Sequence, residues 1–455
     1  MRKRTIRAVI WISLVLAIGV FSGCAKRAVV PRPGHIIFIV VDALRPDHLG
    51  CYGYGRPTSP NIDHLAGRGL RFENAYSNAP WTKPSVASIF TSLHPNVHQA
   101  INRFDVLSEK ALTLAERLKA CGYFTCLVNG GNALIHEFNY DQGFDYYDYE
   151  ESLDSAAAVR SFETVLSEAG GKSFFVYVHL MDTHLPYHLN EFNRDLVGAE
   201  RQDFRPGALD RDSIREMTSA GKLSGEDREY LISLYDAQIR YADANIGEMM
   251  SALESRGLLG RSLVILTSDH GEEFWEHGNY EHGHSLYDEL LRVPLVIAGP
   301  GLPQAEVKSR VRHVDLLPTL LEAADPGFKN DGIAGLSVWR YLKRDRGLRP
   351  VFASGTIHGD EKYSLIQGRQ KIIINSGERE KKRRLIGPHS RDQVEFYDLE
   401  RDRSEKDDIR LEKSKDLARV MKKIARLMDV RPLFQPGKKA IDKRTEERLK
   451  SLGYL

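Results

Sequence analysis

Three apolar runs of the sequence each lead into acidic or histidine side chains. HIIFIVVD ends at Asp42, KSFFVYVHLMD ends at Asp182 two residues before His184, and SLVILTSDH ends in Asp269-His270. Asp and His side chains are suitable ligands for a hard or borderline divalent cation. We therefore predict that Asp42, Asp269 and His270 bind a metal ion. Mn²⁺, Zn²⁺, Mg²⁺ and Ca²⁺ all remain compatible with this ligand set.

A hydroxyl residue opens the helix-like stretch APWTKPSVASIFTSLHP at residues 79–95. In one interpretation Thr82 is an N-cap that accepts a backbone N–H, with Pro84 in the first helical turn. In the other, Thr82 is a nucleophile held at the positive end of a helix dipole. A free hydroxyl is a poor nucleophile at neutral pH, and metal coordination lowers its pKa. The predicted metal ligands therefore favour the second interpretation, although the two are not exclusive.

Three histidines lie within eight positions in EHGNYEHGHSLYDELLRVPLVIAGPG, residues 276–301. His277, His282 and His284 could donate hydrogen bonds to an anionic substrate, bind a metal ion, or lie in a solvated loop. Arg45 follows Asp42 by three residues. It could pair with a substrate oxygen or with a neighbouring carboxylate, and we favour the structural role.

Buried strands are needed to bring these side chains together. The three apolar runs are unbroken and rich in β-branched and aromatic residues, which is typical of strands buried on both faces of a sheet. Helix-like stretches lie between them, at 85–93, 108–120, 154–170 and 228–257. This alternation predicts an α/β fold with a large, mostly parallel sheet flanked by helices. Sites in such sheets gather beyond the carboxyl ends of the strands.

The pattern changes after about residue 325. YSLIQG, QKIIINSG and VEFYDLE predict short antiparallel strands, and residues 413–430 have apolar positions at helical spacing. We predict a catalytic domain at 34–325 and a smaller C-terminal antiparallel-sheet subdomain at 326–455. Residues 188–227 are polar and irregular, and we interpret them as a surface excursion near the site.

Composition narrows the class of partner. The chain has 455 residues, is 42% hydrophobic and carries 64 basic against 62 acidic side chains. This balance gives no indication of a nucleic-acid partner, and we interpret the basic run GEREKKRR at 377–384 as a solvated loop. Cys51, Cys121 and Cys126 form no metal-binding pattern.

The N-terminus has the features of an export signal. MRKRTIR is positively charged, AVIWISLVLAIGVF is apolar, and FSGC ends at Cys24. FSGC resembles the lipobox of bacterial lipoproteins, which implies cleavage and lipidation of Cys24. The alternative is an uncleaved anchor helix, but the apolar run is short of the roughly 20 residues that a span needs. We therefore predict a signal peptide at 1–24, a linker at 25–33, and a body outside the cytoplasm that is anchored to a membrane through Cys24.

Five stretches together resemble the sulfatase family of the alkaline phosphatase superfamily. They are IIFIVVDALRPDHLGCYGY, TSPNIDHLAGRGLRFENAYSNAP, TKPSVASIFTS, TSDHGEEFWEHG and HSLYDELLRVPLVIAGPG. VEFYDLERDRSEKDDI and the final EERLKSLGYL are similar to C-terminal segments of the family, so the resemblance runs from about residue 35 to the end.

The resemblance implies a role for individual residues. Asp42, Asp269 and His270 fall where the family binds its metal ion, and Thr82 falls at the position of the nucleophile. His184 matches a histidine that contacts the substrate or leaving group. His284 falls near a substrate-binding lysine of many sulfatases, and an offset of one or two residues keeps His282 as an alternative.

The departures from the family pattern bear on the substrate. Sulfatases oxidise a Cys or Ser to formylglycine in a C-x-P-S-R-like motif, whereas this chain has Thr82 and, at the motif arginine, Val86. Oxidation of Thr cannot yield an aldehyde, because its β carbon carries a methyl group. Ala43 replaces a common second Asp. Asp-His at the third strand resembles phosphonate monoester and phosphodiester hydrolases, and a Thr nucleophile resembles phosphoglycerol and phosphoethanolamine transferases of the superfamily.

These features lead to three hypotheses. The first is a metal-dependent enzyme that hydrolyses or transfers phosphate esters through Thr82. The second is a sulfuric ester hydrolase that works without formylglycine. The third is a surface-anchored binding protein on a decayed catalytic scaffold, against which the intact set of Asp42, Asp269 and His270 weighs. For the two enzymes the partner is an anionic ester, and the organic part of that ester and the oligomeric state stay open.

Overall fold

The fold was analysed in a computed structural model of the chain. The structure describes residues 31–130, 134–149, 154–190, 193–197, 201, 204, 211–342, 347–376, 394–439, 441, 443, 446 and 447. The predicted signal peptide with Cys24 and the basic run 377–384 lie outside these residues, as does most of EERLKSLGYL.

The strands within this part of the chain are β1 His35–Val41, β2 Gly69–Phe72, β3 Ala75–Tyr76, β4 Asp105–Val106, β5 Phe124–Asn129, β6 Tyr146–Tyr149, β7 Phe174–Leu180, β8 Ser262–Thr267, β9 Glu273–Phe274, β10 Tyr280–Glu281, β11 Arg292–Val293, β12 Leu295–Ala298, β13 Ala305–Val307, β14 Val311–Arg312, β15 Val351–Ser354, β16 Lys362–Gln367, β17 Gln370–Asn375, β18 Val394–Asp398 and β19 Gly437–Lys438.

The α-helices of the same residues are α1 Pro60–Ala66, α2 Thr82–Thr91, α3 Pro95–His98, α4 Leu114–Ala120, α5 Ser155–Glu168, α6 Arg211–Ser219, α7 Gly225–Ser255, α8 Asp288–Leu291, α9 Leu316–Ala324 and α10 Ser414–Met428. Short 3₁₀ turns cover Pro46–His48, Gly50–Tyr52, His136–Phe138, Arg194–Leu196, Leu259–Arg261, His313–Asp315 and Val338–Arg340. No helix in the described ranges has the length and apolar character that a bilayer span requires.

The large sheet has the strand order β13-β2-β12-β8-β1-β7-β5-β6. The five consecutive strands β8, β1, β7, β5 and β6 run parallel to one another. β12 is antiparallel to both β8 and β2. The mostly parallel sheet predicted from the sequence is therefore confirmed, and the carboxyl ends of β8, β1 and β7 meet at one edge.

Strand β1 shows why its sequence is apolar without interruption. Ile36, Phe38 and Val40 face one hydrophobic core, which is packed beneath α2, α4 and α9. The alternate residues Ile37 and Ile39, with Val41, face a second core beneath α1, α5 and α7. Successive strand residues point to opposite faces, so a strand covered on both sides must be apolar at every position.

The starts of two helices differ from the prediction, and each helix begins at a capping box. The first begins later than its apolar pattern indicates, and the second begins earlier. The stretch 108–120 is helical only from Leu114, because Thr113 Oγ1 accepts from the Glu116 N–H and the Glu116 side chain accepts in return. α7 begins at Gly225 because Ser224 forms a capping box with Asp227, three residues further along the chain. The excursion 188–227 contains, within its described parts, one 3₁₀ turn, helix α6 and the first three residues of α7.

The C-terminal sheet is antiparallel, with the order β15-β16-β17-β18, as predicted. Helix α10 covers it through Val420 and Ile424. The edge strand β15 and its following loop also contact the segment that precedes α2. Asn78 Nδ2 donates to the Phe352 carbonyl at 2.8 Å, and Trp81 Nε1 donates to the Gly355 carbonyl at 2.7 Å. The two sheets are thus joined directly beside the start of α2.

Candidate active site

The carboxyl ends of neighbouring strands bring the predicted metal ligands to one point. Asp42 follows β1, and Asp269-His270 follow the adjacent strand β8. All three side chains are 0% exposed. His270 Nε2 lies 3.6 Å from Asp42 Oδ1 and 3.4 Å from Asp269 Oδ2. The residues that the sequence nominated are therefore within reach of a single ion.

The backbone after β1 orients this group. Ala43 has a φ of 53°, which is uncommon for a residue other than glycine. In this conformation its N–H donates to Asp269 Oδ1 at 3.2 Å, and its carbonyl accepts from the Tyr235 hydroxyl at 2.7 Å. The Leu44 N–H donates to Ser268 Oγ at 2.8 Å. The ends of β1 and β8 are therefore locked together immediately beside the carboxylates.

Thr82 points its hydroxyl at the same group. Helix α2 begins at Thr82, and Trp81 is the N-cap residue, so the interpretation of Thr82 as an N-cap is wrong. Thr82 Oγ1 donates to Asp42 Oδ2 at 3.1 Å and lies 3.3 Å from His270 Nε2. Ser85, one turn further along α2, donates to the Asp269 carbonyl at 2.6 Å and fixes the helix against β8.

The donor set fits a divalent cation. His270 Nδ1 lies 2.8 Å from the Gly271 carbonyl, which can only accept, so the neutral ring has its hydrogen on Nδ1 and a lone pair on Nε2. That lone pair faces two carboxylates. Within the described residues, Asp42 Oδ1 and Asp269 Oδ2 have no hydrogen-bond partner. Burial and the charge of Asp42 raise the pKa of Asp269. A divalent cation at this point would bind the lone pair and the two carboxylate oxygens, and its charge would compensate the burial of both carboxylates.

His179 belongs to this group although it was missing from the prediction. It lies in β7 beside Val40, is 0% exposed, and places Nε2 3.2 Å from Asp42 Oδ2. Its other ring nitrogen, Nδ1, lies 3.2 Å from the Tyr177 hydroxyl. His179, Asp42 and Asp269 each offer a ligand atom within 4.8 Å of the others. The available signal was a histidine near the end of an otherwise apolar buried strand.

His282 and His184 adjoin the metal group. The His282 ring centroid lies 4.3 Å from that of His270 and 5.2 Å from that of His184. His282 Nδ1 lies 3.1 Å from Glu272 Oε1, and burial together with neighbouring positive charges lowers the pKa of His282. His184 Nδ1 lies 2.7 Å from the Leu185 carbonyl, so in its neutral form the hydrogen is on Nδ1. Both rings therefore lie next to the metal group, His282 directly on His270 and His184 on His282.

The structure pairs the other two histidines of the 277–284 segment with glutamate side chains. His284 Nε2 lies 2.7 Å from Glu273 Oε2, and that contact lowers the pKa of Glu273 against the opposing effect of burial. His277 Nδ1 lies 2.5 Å from Glu289 Oε1. These pairs hold the loop in position. Of the three histidines in the segment, His282 is the one whose ring packs on His270.

Arg45 is committed to structural contacts, as we favoured. Its guanidinium donates to both carboxylate oxygens of Asp47 at 3.0 and 2.7 Å, to Glu276 Oε1 at 2.5 Å, and to the Glu272 carbonyl at 2.9 Å. These bonds join the loop after β1 to the loop after β8. Arg45 therefore stabilises the two loops that adjoin the metal group.

Comparison with known proteins identifies the class of protein. A profile of the family described as Sulfatase matches residues 34–326. The chain therefore belongs to the sulfatase family, and it is an ester hydrolase of that family.

Relatives and solved structures agree with this assignment. A protein of Escherichia coli (strain K12) described as uncharacterized sulfatase YidJ is 26% identical over 345 residues, covering 65% of this chain and 68% of the relative. A structure solved with its substrate D-glucosamine-2-N,6-O-disulfate superposes with a TM-score of 0.65 at 19% identity, covering 93% and 98% of the two chains. A phosphonate monoester hydrolase from Silicibacter pomeroyi gives 0.66 at 17% identity, covering 86% and 94%. These two structures share the fold.

Proposed function

We propose that the protein is a metal-dependent hydrolase or transferase of phosphate esters, of the phosphodiester or phosphonate monoester type, with Thr82 as its nucleophile. The observation that supports this most directly is the Thr82 hydroxyl, which lies 3.1 Å from Asp42 Oδ2 and 3.3 Å from His270 Nε2. A buried hydroxyl that only stabilised the fold would not need to lie between two side chains of the types that bind metal ions.

In the proposed reaction Thr82 Oγ1 attacks phosphorus. The new bond forms as the bond to the leaving alcohol breaks, and the hydroxyl proton passes towards Asp42, to which it is already hydrogen-bonded. A divalent cation held by Asp42, Asp269 and His270 would lower the pKa of a nearby hydroxyl and neutralise charge on the phosphoryl oxygens.

Protonation of the leaving group is assigned to His184, whose ring packs against His282 beside His270. His282 is the weaker candidate, because burial and neighbouring positive charges lower its pKa. His284, which we also considered from the sequence, is held by Glu273. Water or an acceptor alcohol then attacks the phosphorylated Thr82 and restores the hydroxyl.

Hydrolysis of a sulfate ester is the second candidate. Membership of the sulfatase family favours it, as does the likeness to a structure in complex with D-glucosamine-2-N,6-O-disulfate. The side chain of Thr82 weighs against it, because its β-methyl group prevents formation of the aldehyde that formylglycine chemistry uses. A sulfatase of this kind would need Thr82 itself to attack sulfur.

The test is a side-by-side assay with each candidate metal. A p-nitrophenyl phosphodiester, a p-nitrophenyl phosphonate and p-nitrophenyl sulfate are offered to the wild type, Thr82→Ala and Thr82→Ser. Thr91→Ala, in the same helix with a hydroxyl bonded to the Ala87 carbonyl, is the matched control. We expect phosphorus esters to be hydrolysed, with loss in Thr82→Ala, partial retention in Thr82→Ser and little change in Thr91→Ala. Full activity in metal-loaded Thr82→Ala would contradict the mechanism.

We also propose that the protein is exported and anchored to a membrane through lipidated Cys24. The support is the order of charged, apolar and FSGC segments in residues 1–24. In cells supplied with labelled palmitate, the wild type should incorporate the label and Cys24→Ser should not. A wild type that stays in the membrane fraction without label would favour the uncleaved anchor helix.

A further inference from the structure

Basic side chains from three separate parts of the chain gather next to His282. Arg211 lies at the start of α6, and its Nη1 is 3.1 Å from Nε2 of His358, which follows β15. The His358 N–H donates to the Gly283 carbonyl at 3.1 Å, so this loop is attached to the residue after His282. The positive charge of Arg211 is among the causes that lower the pKa of His282, after burial. Burial and then the charges of Arg211, Arg215 and Arg103 lower the pKa of His358 to about 3, so His358 is a neutral ring that accepts from Arg211.

Arg103 comes from the segment after α3 and is attached to the residue that follows Thr82. Its carbonyl accepts from Lys83 Nζ at 2.7 Å, and Lys83 is the residue that follows the nucleophile. Burial and then the positive charges of Arg211 and Arg215 lower the pKa of Arg103. Arg215 lies one helical turn after Arg211, on the same face of α6, and the charges of both act on Arg103. We refer to Arg103, Arg211, Arg215 and His358 as the basic cluster.

The cluster has more positive charge than the residues around it neutralise. Arg211 pairs with the buried Glu281, and Asp212 is the other acidic group that acts on Arg215. Among the residues that the structure describes, the guanidinium groups of Arg103 and Arg215 form no hydrogen bond or ion pair. Both side chains are half-buried, so they combine reduced solvation with mutual repulsion. Binding of an anion between them would relieve both effects.

We propose that the basic cluster is a second anion subsite, so that the ester substrate carries a further carboxylate, sulfate or phosphate group on its organic part. Arg103 and Arg215 bind this group, and Arg211 and His358 support them from the side of His282. The planar fork of a guanidinium matches the paired oxygens of such groups. The inference rests on the proposed function only in taking the Thr82 site as the place where the ester reacts.

A binding experiment tests the subsite without requiring turnover. Naphthalene-1-sulfonate and naphthalene-1,5-disulfonate share one ring system and differ in the second anion. Each is titrated calorimetrically into the full chain, as wild type, Thr82→Ala, Arg215→Gln and Arg103→Gln. Arg160→Gln, an exposed arginine of α5, is the matched control for net charge. Arg215→Lys keeps the charge and removes the fork.

We expect the disulfonate to bind about 10- to 100-fold more tightly than the monosulfonate, as is typical of charged hydrogen bonds. The preference should persist in Thr82→Ala and Arg160→Gln, fall in Arg215→Lys, and be lost in Arg215→Gln and Arg103→Gln. Equal binding of the two probes by the wild type would overturn the proposal. So would an equal loss in Arg215→Gln and Arg160→Gln, because that would show only a general effect of charge.

Hydrolysis assays on p-nitrophenyl esters separate this result from the proposed function. If the preference for the disulfonate holds while no phosphorus or sulfate ester is hydrolysed, the subsite stands and the proposed function fails. If esters are hydrolysed through Thr82 and both probes bind equally, the proposed function stands and the subsite is wrong. Thermal unfolding of each variant shows whether lost binding reflects lost folding.

Discussion

A fully buried lysine joins the C-terminal sheet to the catalytic domain, and its removal should be costly. Lys371 lies in β17 and is 0% exposed. Its Nζ donates to Asp288 Oδ1 of α8 at 2.9 Å and to Glu405 Oε2 at 3.0 Å. Lys371→Met keeps most of the side-chain volume and removes the charge. The two carboxyl groups are then left in the interior without their shared cation.

The magnitude follows from the protonation states of the pair. Burial raises the pKa of Glu405 to about 8 even with Lys371 present, so Glu405 can stay neutral in the variant. Asp288 differs, because Lys371 lowers its pKa against the effect of burial. Breaking a buried pair on one side costs about 3–5 kcal/mol. We expect a loss of about 3 kcal/mol at pH 7, since only one carboxylate is left uncompensated.

The loss should depend on pH. Without Lys371 the pKa of Asp288 rises in the folded state, so the folded protein binds more protons than the unfolded chain above pH 4. Stability then falls as pH rises, by up to about 1.4 kcal/mol per pH unit for one proton. Lys371→Met should therefore be less destabilising at pH 6 than at pH 8.

Denaturant unfolding followed by hydrogen exchange in the C-terminal sheet measures this effect. Exchange identifies which sheet opens, since a chain of this size need not unfold in two states. Lys422→Met, an exposed lysine of α10, is the matched control and should change stability by less than about 0.5 kcal/mol. A second comparison adds Asp288→Asn and Glu405→Gln to Lys371→Met, and should recover part of the stability. A loss below about 1 kcal/mol, or a loss that is constant with pH, would refute the reasoning.

Three further predictions concern the metal group and the sheet. Mn²⁺, Zn²⁺, Ca²⁺ or Mg²⁺ at 100 times its Kd should stabilise the protein by about 2.7 kcal/mol, and EDTA should reverse the effect. Thermal unfolding of Asp269→Asn should show no such stabilisation. An equal stabilisation of this variant would contradict the assignment of Asp269 as a ligand. His179→Gln should weaken metal binding about 10- to 100-fold, as loss of a partner of Asp42 does; unchanged affinity in competition with a chelating dye would exclude His179 from the site. Burial, with a smaller effect of Arg261, lowers the pKa of His35 to about 4. The unfolded chain therefore binds more protons than the folded protein between pH 6.5 and 4, and stability is lost as pH falls. In urea unfolding, His35→Phe should lose about 1–2 kcal/mol less stability than the wild type between pH 7 and 4.5. Equal losses of stability in the two proteins would refute this.

The elements that position the site were accessible from the sequence. Each of the three long apolar runs forms a strand of the large sheet, because a strand covered on both faces leaves an unbroken apolar signature. Parallel strands then bring their carboxyl ends to one edge, so Asp42 and Asp269 could be paired across a separation of more than 200 residues.

The remaining features depend on three-dimensional contacts that no local pattern contains. His179 lies within an apolar strand, and only the register with β1 reveals that it faces Asp42. Similarly, His282 and His284 have nearly the same surroundings in sequence. The packing of one ring on His270 and the pairing of the other with Glu273 separate them. The first residue of α2 was ambiguous for the same reason, because the partners of Thr82 come from other strands.

The hydrogen bond from Trp81 to the loop after β15 can form only late in the synthesis of the chain. Trp81 directly precedes Thr82, and 274 residues separate it from Gly355, the residue whose carbonyl it binds. A ribosome adds residues from the amino end, so the nascent chain carries Thr82 and the ligands Asp42, Asp269 and His270 well before this anchor exists. The bond from Trp81 can form only once the loop after β15 has been synthesised and has folded back. A chain that stops where the family match ends, at residue 326, would contain all the proposed catalytic groups and lack this contact beside the start of α2.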